Sequence, residues 1–233
     1  MINSIHSPFP LRQLPAMISI REGLMLIWFA TGNIHKKKEL VDILDAASKN
    51  RSHIAWELKI PSDAGLSFNP DETGNTFFEN ALIKAGELYR LLKAPVIADD
   101  SGLCVDALDG RPGILSARYG EAGSRLSDTE KNTLLLSELG NSKVRSARFV
   151  CAMVLYFGPN HFYLAQESME GEIVPDMEAA RGTGGFGYDP ILYVPQMGRT
   201  VAELSSEEKN MLSHRGKAGK AIAKFLFDNA INK

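Results

Sequence analysis

Strand-like and helix-like hydrophobic patterns alternate through the first half of this chain, and that alternation constrains its fold more than any other feature. Met25 to Ala30 is a compact apolar run that reads as a strand, bounded by Thr31-Gly32-Asn33. Leu40, Ile43, Leu44 and Ala47 then recur on one face of a helix, and Ile54 to Leu58 reads as the next strand. This is a βαβ opening and places the chain in the α/β class. A polar loop leads to Thr76-x-x-Glu79, a capping-box pattern in which hydroxyl and carboxylate satisfy the free N–H groups of a helix start. The helix that follows carries Phe78, Ala81, Leu82, Ala85, Leu88 and Leu92 on its apolar stripe, with Asn80, Lys84 and Glu87 on its other face. Pro95 to Gly102 reads as a buried strand stopped by Ser101-Gly102, and a glycine-rich loop through Gly120 and a helix around Asp128 to Leu139 come next. Ala147 to Tyr156 and His161 to Glu167 form a hairpin across Gly158-Pro159-Asn160, and a C-terminal helix starts at Ser205, breaks near Ser213 and resumes with Ala218, Ile222, Phe225 and Leu226 inward.

At 233 residues the chain suits one large domain or two small lobes. Its 26 basic and 28 acidic residues form no basic block interleaved with aromatics, which excludes an extended nucleic-acid footprint and leaves room only for a small anionic ligand. No apolar segment approaches a membrane-spanning length, so no membrane partner is expected. Cys104 and Cys151 both lie in apolar segments and read as buried thiols of a reducing compartment, hence a cytoplasmic protein. Residues 1–24 carry Pro8, Pro10 and Pro15 without periodicity. They read as a mobile tail or as sequence upstream of a start at Met17 or Met25, with 25–233 as the working domain. A signal peptide is the weaker alternative, because no small-x-small cleavage site follows the apolar stretch Leu24 to Ala30.

Asp99 and Asp100 stand side by side where the strand reading ends. Side chains alternate along a strand, so if the strand persists the two acids face opposite ways and have different jobs, one toward a cation and one orienting it or accepting a proton. The alternative is a strand end with an Asx-type turn. Thr31-Gly32-Asn33-x-x-Lys36 places a hydroxyl, a permissive glycine, an amide and a lysine at a helix start, where free N–H groups and the helix dipole suit an anion. The alternative there is a solvated basic face through Lys36, Lys37 and Lys38.

Gly182 to Gly187 is a formal G-x-G-x-x-G, but it neither follows a strand nor opens a helix, so a dinucleotide fingerprint does not apply. It reads as a flexible loop in which Phe186 stacks on a base and Asp189 accepts from a ring N–H, or else as a structural turn with core aromatics. Lys209 and His214-Arg215 flank the C-terminal helix break as donors to carbonyl or phosphate oxygens, or as solvated surface. There is no Walker A sequence, Cys/His ligand spacing or Gly-x-Ser-x-Gly elbow.

Five blocks together resemble the inosine triphosphate pyrophosphatase (Ham1-like) family: ATGNIHKKKEL from Ala30, DETGNTFFENALIKA from Asp71, IADDSGLCVDALDGRPGILSARYG from Ile97, GTGGFGYDPILYVP from Gly182 and AELSSEEKNMLSHRGKA from Ala202. The Maf-like pyrophosphatases, similar in fold, typically open with a Ser-x-Ser-Pro-Arg-Arg type turn that this chain lacks. The resemblance implies a two-lobed fold with an elongated mixed central sheet flanked by helices and the active site in the cleft between lobes. It implies hydrolysis of purine nucleoside triphosphates bearing a 6-oxo group, such as dITP, ITP and XTP, to the monophosphate and pyrophosphate, with Mg²⁺ as cofactor and a homodimer as assembly. On this basis Thr31, Gly32, Asn33, Ile34, His35 and Lys36 bind the triphosphate, Glu72 and Asp100 hold Mg²⁺, and Asp100 is also the proton acceptor. Ser101 touches the substrate, Asp99 and Lys84 lie near metal and phosphates, and Lys36 and Asp99 assist catalysis. Phe186, Gly187, Tyr188, Asp189, Lys209, His214 and Arg215 form the base side, with the His-Arg pair donating toward the 6-oxo group. The departures are the N-terminal extension and His35 with Lys37. Two alternatives are a Maf-like pyrophosphatase with another nucleotide preference and a catalytically silent nucleotide-binding module, which would have no use for all three of Glu72, Asp99 and Asp100.

Overall fold

The computed structural model describes residues 20–21, 24–49, 55–120 and 125–230. Along these residues run β1 (Ile20–Arg21), β2 (Leu24–Phe29), α1 (Ile34–Ser48), β3 (Ala55–Lys59), α2 (Phe77–Leu92), β4 (Val96–Val105) and α3 (Asp128–Leu139). They continue with β5 (Ser146–Gly158), β6 (His161–Ile173), β7 (Leu192–Val194), β8 (Arg199–Thr200), α4 (Ser206–Leu212) and α5 (His214–Asp228). The eight strands described form one mixed sheet in the order β1-β2-β4-β5-β6-β7-β8, with β3 on the other edge of β2. β3 and β4 both run parallel to β2, as the βαβ opening requires, and the remaining pairs are antiparallel. The expectations for residues 1–19, 22–23 and Ile54 lie outside the described residues, while Ile20 and Arg21 pair with Met25 and Leu24 rather than standing apart as tail.

The strand bearing the two acids does not stop at Ser101-Gly102. β5 pairs with it residue for residue from Val96↔Tyr156 to Val105↔Ala147, so ladder hydrogen bonds carry β4 through both acids and the glycine. Two short 3₁₀ turns, Asp106–Leu108 and Gly113–Arg118, replace the expected open loop. Gly102 belongs in this strand for a steric reason: a Cβ there would run into the Gly113 carbonyl oxygen and Ser116 Oγ, with the Phe77 ring at 3.0 Å. Gly102→Ala is therefore expected to cost about 1–3 kcal/mol by overpacking, read as a lower urea midpoint at unchanged slope.

The pleat sorts the core into layers. Ile97 joins Phe29, Leu40, Leu44, Met153 and Ile222 beneath α1 and α5, whereas Ala98 joins Trp28, Ala81, Ala85, Leu88 and Val154 beneath α2. A third cluster, including Leu103, Leu135, Phe149 and Leu192, packs α3 against the far half of the sheet. The capping boxes at Thr76/Glu79 and Ser205/Glu208 form as read, and Ser213 both ends α4 and caps α5. Gly158 lies opposite His161 at the hairpin, whose second strand runs to Ile173. Phe225 is only half-buried, its ring 4.3 Å from that of Tyr163. On α2 the polar face reads differently in space: Asn80 and Lys84 are buried, while Phe78, Leu82 and Leu92 are only partly so. Both cysteines are free thiols, Cys151 buried and Cys104 partly exposed. No helix among the described residues is long and apolar enough to cross a membrane.

Candidate active site

Because β4 persists through both acids, Asp99 and Asp100 leave the sheet on opposite faces. Asp99 follows Ile97 toward α1 and α5 and is 1 % exposed. There Lys36 Nζ lies 2.9 Å from its Oδ2 and 3.1 Å from its Oδ1, and Arg215 Nε donates to Oδ2 at 3.2 Å. Asp100 follows Ala98 toward α2, where Lys84 Nζ donates to Oδ1 at 3.4 Å and Asn80 Nδ2 to Oδ2 at 3.2 Å. Lys84 also donates to Glu72 Oε1 at 2.7 Å, so a single ammonium joins the two carboxylates expected to hold a metal.

The environments split the pair electrostatically. Burial by itself raises a carboxyl pKa, but at Asp99 the charges of Lys36, Arg215 and Lys84 outweigh it and hold the group well below the usual carboxylate range. At Asp100 burial prevails over Lys84, with the Glu72 charge adding to it, and the pKa is raised. Two adjacent carboxyls with pKa values pushed apart are the pattern of a fixed ion beside a group suited to take up a proton.

Asn33 caps α1 through its side chain, accepting from the backbone N–H of His35 at 2.9 Å and of Lys36 at 3.2 Å, and its own N–H donates to Thr31 Oγ1. Two of the helix-start donors expected to be free for an anion are thus already satisfied. The anion-binding capacity of this turn rests chiefly on the Lys36 ammonium. Gly32 needs no special backbone conformation; a Cβ there would stand in open space at the cleft wall. Ile34 is 64 % exposed, Lys37 pairs with Asp63 at 2.8 Å rather than with Asp99 or Asp100, and neither residue lines the two cavities described below.

The other end of the cleft is built from the 182–189 loop and the α4–α5 junction. Phe186 stands against His35, ring centroids 5.7 Å apart, with Lys209 Nζ 5.0 Å and the Arg215 guanidinium carbon 5.6 Å from its ring centre. The loop is pinned rather than loose: Gly187 donates to Asp128 Oδ2 at 2.7 Å and accepts from Asn132 at 3.2 Å. Tyr188 is core, its hydroxyl donating to the Ser116 carbonyl at 2.9 Å, so of the two aromatics only Phe186 is presented. Gly182, Gly185 and Gly187 all have positive φ, and Gly182 packs on Ala202, which accounts for the glycine run without a dinucleotide. Asp189 is buried; its Oδ2 accepts from Lys209 and from the Phe186 N–H, both at 2.9 Å.

Arg215 is not chiefly a free reader of a base. It is 2 % exposed, and besides Asp99 it donates to Glu39 Oε2 and to Ser101 Oγ, each at 2.7 Å, so every guanidinium nitrogen has a protein partner. Glu39, which the sequence reading missed, also holds Lys209 at 2.9 Å and thereby ties α1 to α4 and α5. Its only signal is a position one turn after His35 in a basic helix start, which fits an ordinary solvated residue equally well. His214 stacks on Phe149 at 4.9 Å and borders the cleft, and its buried Nδ1 has no hydrogen-bond partner. Burial, then the nearby Arg215 and Lys209 charges, hold its pKa well below 6.5.

The sign of that shift makes a prediction. The unfolded chain binds the His214 proton more tightly than the folded one, so stability is lost as pH falls below about 6.5, at up to about 1.4 kcal/mol per unit. His214→Gln is expected to remove this component from urea unfolding between pH 5 and 7.5. An unchanged slope would contradict burial of a neutral imidazole.

Two adjoining cavities, about 380 Å³ and about 690 Å³, share Asn33, Lys36, Glu72, Lys84, Ala117 and Arg125 as walls. The first reaches Asp100, Phe186 and His214, and the second is lined instead by Thr31, Asp71, Asp99 and Arg118. Lys36, Glu72, Lys84, Asp99, Asp100, Phe186, Lys209, His214 and Arg215 are thus brought together as lining of these two cavities. The profile of the Ham1 family matches residues 27–225. The chain belongs to the Ham1 family. It is 51 % identical over 203 residues to the dITP/XTP pyrophosphatase of Treponema denticola, covering 87 % of this chain and 98 % of that one. The dITP/XTP pyrophosphatase of Thermus thermophilus is 44 % identical over 200 residues, 85 % of this chain and 90 % of its own. Among solved structures, the Ham1 protein of Coxiella burnetii matches with a TM-score of 0.76 at 35 % identity, covering 87 % of this chain and 98 % of that one. That of Staphylococcus aureus matches with a TM-score of 0.73 at 39 % identity, covering 86 % and 97 %. The mixed α/β fold, one sheet flanked by helices, is therefore that of the Ham1 family.

Proposed function

We propose that this Ham1-family chain hydrolyses non-standard purine nucleoside triphosphates, dITP, ITP and XTP, to the nucleoside monophosphate and pyrophosphate. One observation carries the reading: a single cleft joins a carboxylate-and-lysine end, Lys36, Lys84, Glu72 and Asp100, to an aromatic-and-donor end, Phe186, Lys209 and His214. Relatives named dITP/XTP pyrophosphatases, alike over nearly their whole length, support the substrate class.

Mg²⁺ is the proposed cofactor, held by Glu72 and Asp100. Among the described residues no three His, Cys, Asp or Glu side chains form a metal-holding group by themselves. Two carboxylates beside phosphate-facing lysines fit a hard cation that completes its shell with substrate and water oxygens. When bound, it would polarise the phosphoryl group and offset its charge.

The chain's own residues supply the rest. Lys36 and Lys84 lower the repulsion between a polyanion and incoming water, and Asp100 orients that water toward the α-phosphorus and accepts its proton. Asp99 stays ionised and holds Lys36 and Arg215 in place. At the base end, N–H donors suit a 6-oxo group; the 6-amino group of adenine would leave them unpaired, at about 1–3 kcal/mol per contact. The same proposal includes a homodimer, residues 25–233 as the catalytic domain and a cytoplasmic location, the last supported by the two free thiols.

Pyrophosphate release from dITP, XTP, ATP and dTTP with Mg²⁺ tests the proposal. Preference for dITP and XTP over ATP of tenfold or more, at about 1.4 kcal/mol per factor of ten, is the expected result. Preferential cleavage of dTTP would favour a Maf-like activity, and no cleavage would favour a binding module.

A further inference from the structure

The cations that the sequence reading placed at the phosphate end do not balance their own surroundings. Lys36 and Lys84 face Asp99, Asp100 and Glu72, with Asp71 at the rim of the larger cavity, so that wall carries more negative than positive charge. A polyanion needs further positive charge there, and the same cavity has it in Arg118 and Arg125.

Arg118 is held by a rigid platform. It ends the 3₁₀ turn Gly113–Arg118, in which Ser116 Oγ donates to the Gly113 carbonyl at 2.6 Å and accepts from the Leu103 N–H of β4 at 2.9 Å. The Ser116 carbonyl accepts from Tyr188 of the base loop at 2.9 Å, and the Ala117 carbonyl from Lys131 of α3 at 2.7 Å. The backbone beneath Arg118 is thus fixed to three parts of the fold, while the side chain itself is 52 % exposed. Its carboxylate contact is loose, Nη2 lying 3.7 Å from Glu72 Oε2, beyond hydrogen-bond range, on a carboxylate already bonded to Lys84. By contrast, Arg111 and Arg148 meet their carboxylates at 2.8 to 3.0 Å. Arg125 has no carboxylate partner among the described residues and borders both cavities.

The order of groups along the cleft sets what these arginines meet. With the base at Phe186 and the α-phosphate at Asp100, Lys36 and Lys84, the chain of phosphates continues into the adjoining cavity that Arg118 and Arg125 line. We propose that Arg118 and Arg125 clamp the terminal phosphates and receive the departing pyrophosphate, making the site selective for triphosphates. This rests on the functional reading above. A guanidinium suits the role because its planar N–H groups pair with two phosphate oxygens at once and favour the charge that collects on the leaving group.

Titration calorimetry with pyrophosphate plus Mg²⁺, and separately with IMP, tests the clamp on the wild-type protein, Arg118→Ala, Arg125→Ala and Arg118→Lys. Pyrophosphate affinity is expected to fall about tenfold to hundredfold in each alanine variant, and less in Arg118→Lys, with IMP affinity unchanged. Unchanged pyrophosphate affinity, or an equal loss for IMP, would overturn the proposal. The two readings fail separately. A wild-type protein that cleaves dITP but whose variants keep pyrophosphate affinity refutes the clamp alone. One that cleaves no dITP, yet whose variants lose pyrophosphate, refutes the substrate assignment and leaves the clamp standing.

Discussion

Asp100→Asn is expected to lower kcat for dITP by about 10²- to 10⁴-fold, the range that removal of a positioned general base produces, while the nucleotide still binds. The expectation follows from the opposite faces of β4. Asp100 borders the cleft, and burial raises its pKa, so its ionised form gains from taking up a proton in a way that Asp99, held low by Lys36 and Arg215, does not. The variant should fold normally: replacing an acid whose ionised form burial disfavours removes a cost, the single carbonyl oxygen of Asn keeps one of the two bonds from Asn80 and Lys84, and Lys84 retains Glu72. Rapid-quench turnover alongside equilibrium binding of dITP separates the two effects. Near-wild-type turnover would remove Asp100 from the chemistry, and lost binding with an intact fold would make it mainly a ligand contact.

Arg215→Ala is expected to cost about 3–5 kcal/mol of stability, because it takes the shared partner from buried Asp99 and partly buried Glu39 and leaves each with a single lysine, Lys36 or Lys209. In a chain of this length that lowers Tm by roughly 6–20 °C, at about 2–4 °C per kcal/mol. A residue serving only to read a 6-oxo group would leave Tm in place and change only the preference for ITP over ATP. Asp99→Asn approaches the same network from the acid side. Its folded-state pKa is depressed, so the stability it contributes is fully present above the unfolded value near 3.8 and is lost as pH falls through the folded value. Acid unfolding of Asp99→Asn should therefore lack that component, and an identical acid limb in wild type and variant would contradict the ion-pair network.

Much of the fold was legible because periodicity reports local burial: α1, α2, α3 and the β5–β6 hairpin all appear where the apolar spacing put them. The errors share one physical cause, tertiary partners that a local pattern does not contain. Ser101-Gly102 looked like a strand end, yet β5 supplies a full ladder and the crowding of Gly102 by Gly113 and Ser116 explains the glycine. Asn80 and Lys84 stood opposite the apolar stripe of their helix, and a helix wheel does not show that Asp100 and Glu72 will bury that face. Asn33 looked like a phosphate ligand and also caps its own helix, a rival use of the same residue type. Glu39 and Arg118 were missed for the converse reason. Each is a single charged residue at an ordinary position, and only the meeting of α1 with α5, or of the Gly113–Arg118 turn with the Glu72 loop, gives it a partner.

The central claim is that water attacks the α-phosphorus of a non-standard purine nucleoside triphosphate in this cleft. Turnover of dITP in ¹⁸O-labelled water, with mass analysis of both products, tests it most directly. The account predicts label in dIMP and none in pyrophosphate. Label in pyrophosphate, or release of orthophosphate with dIDP, would contradict it.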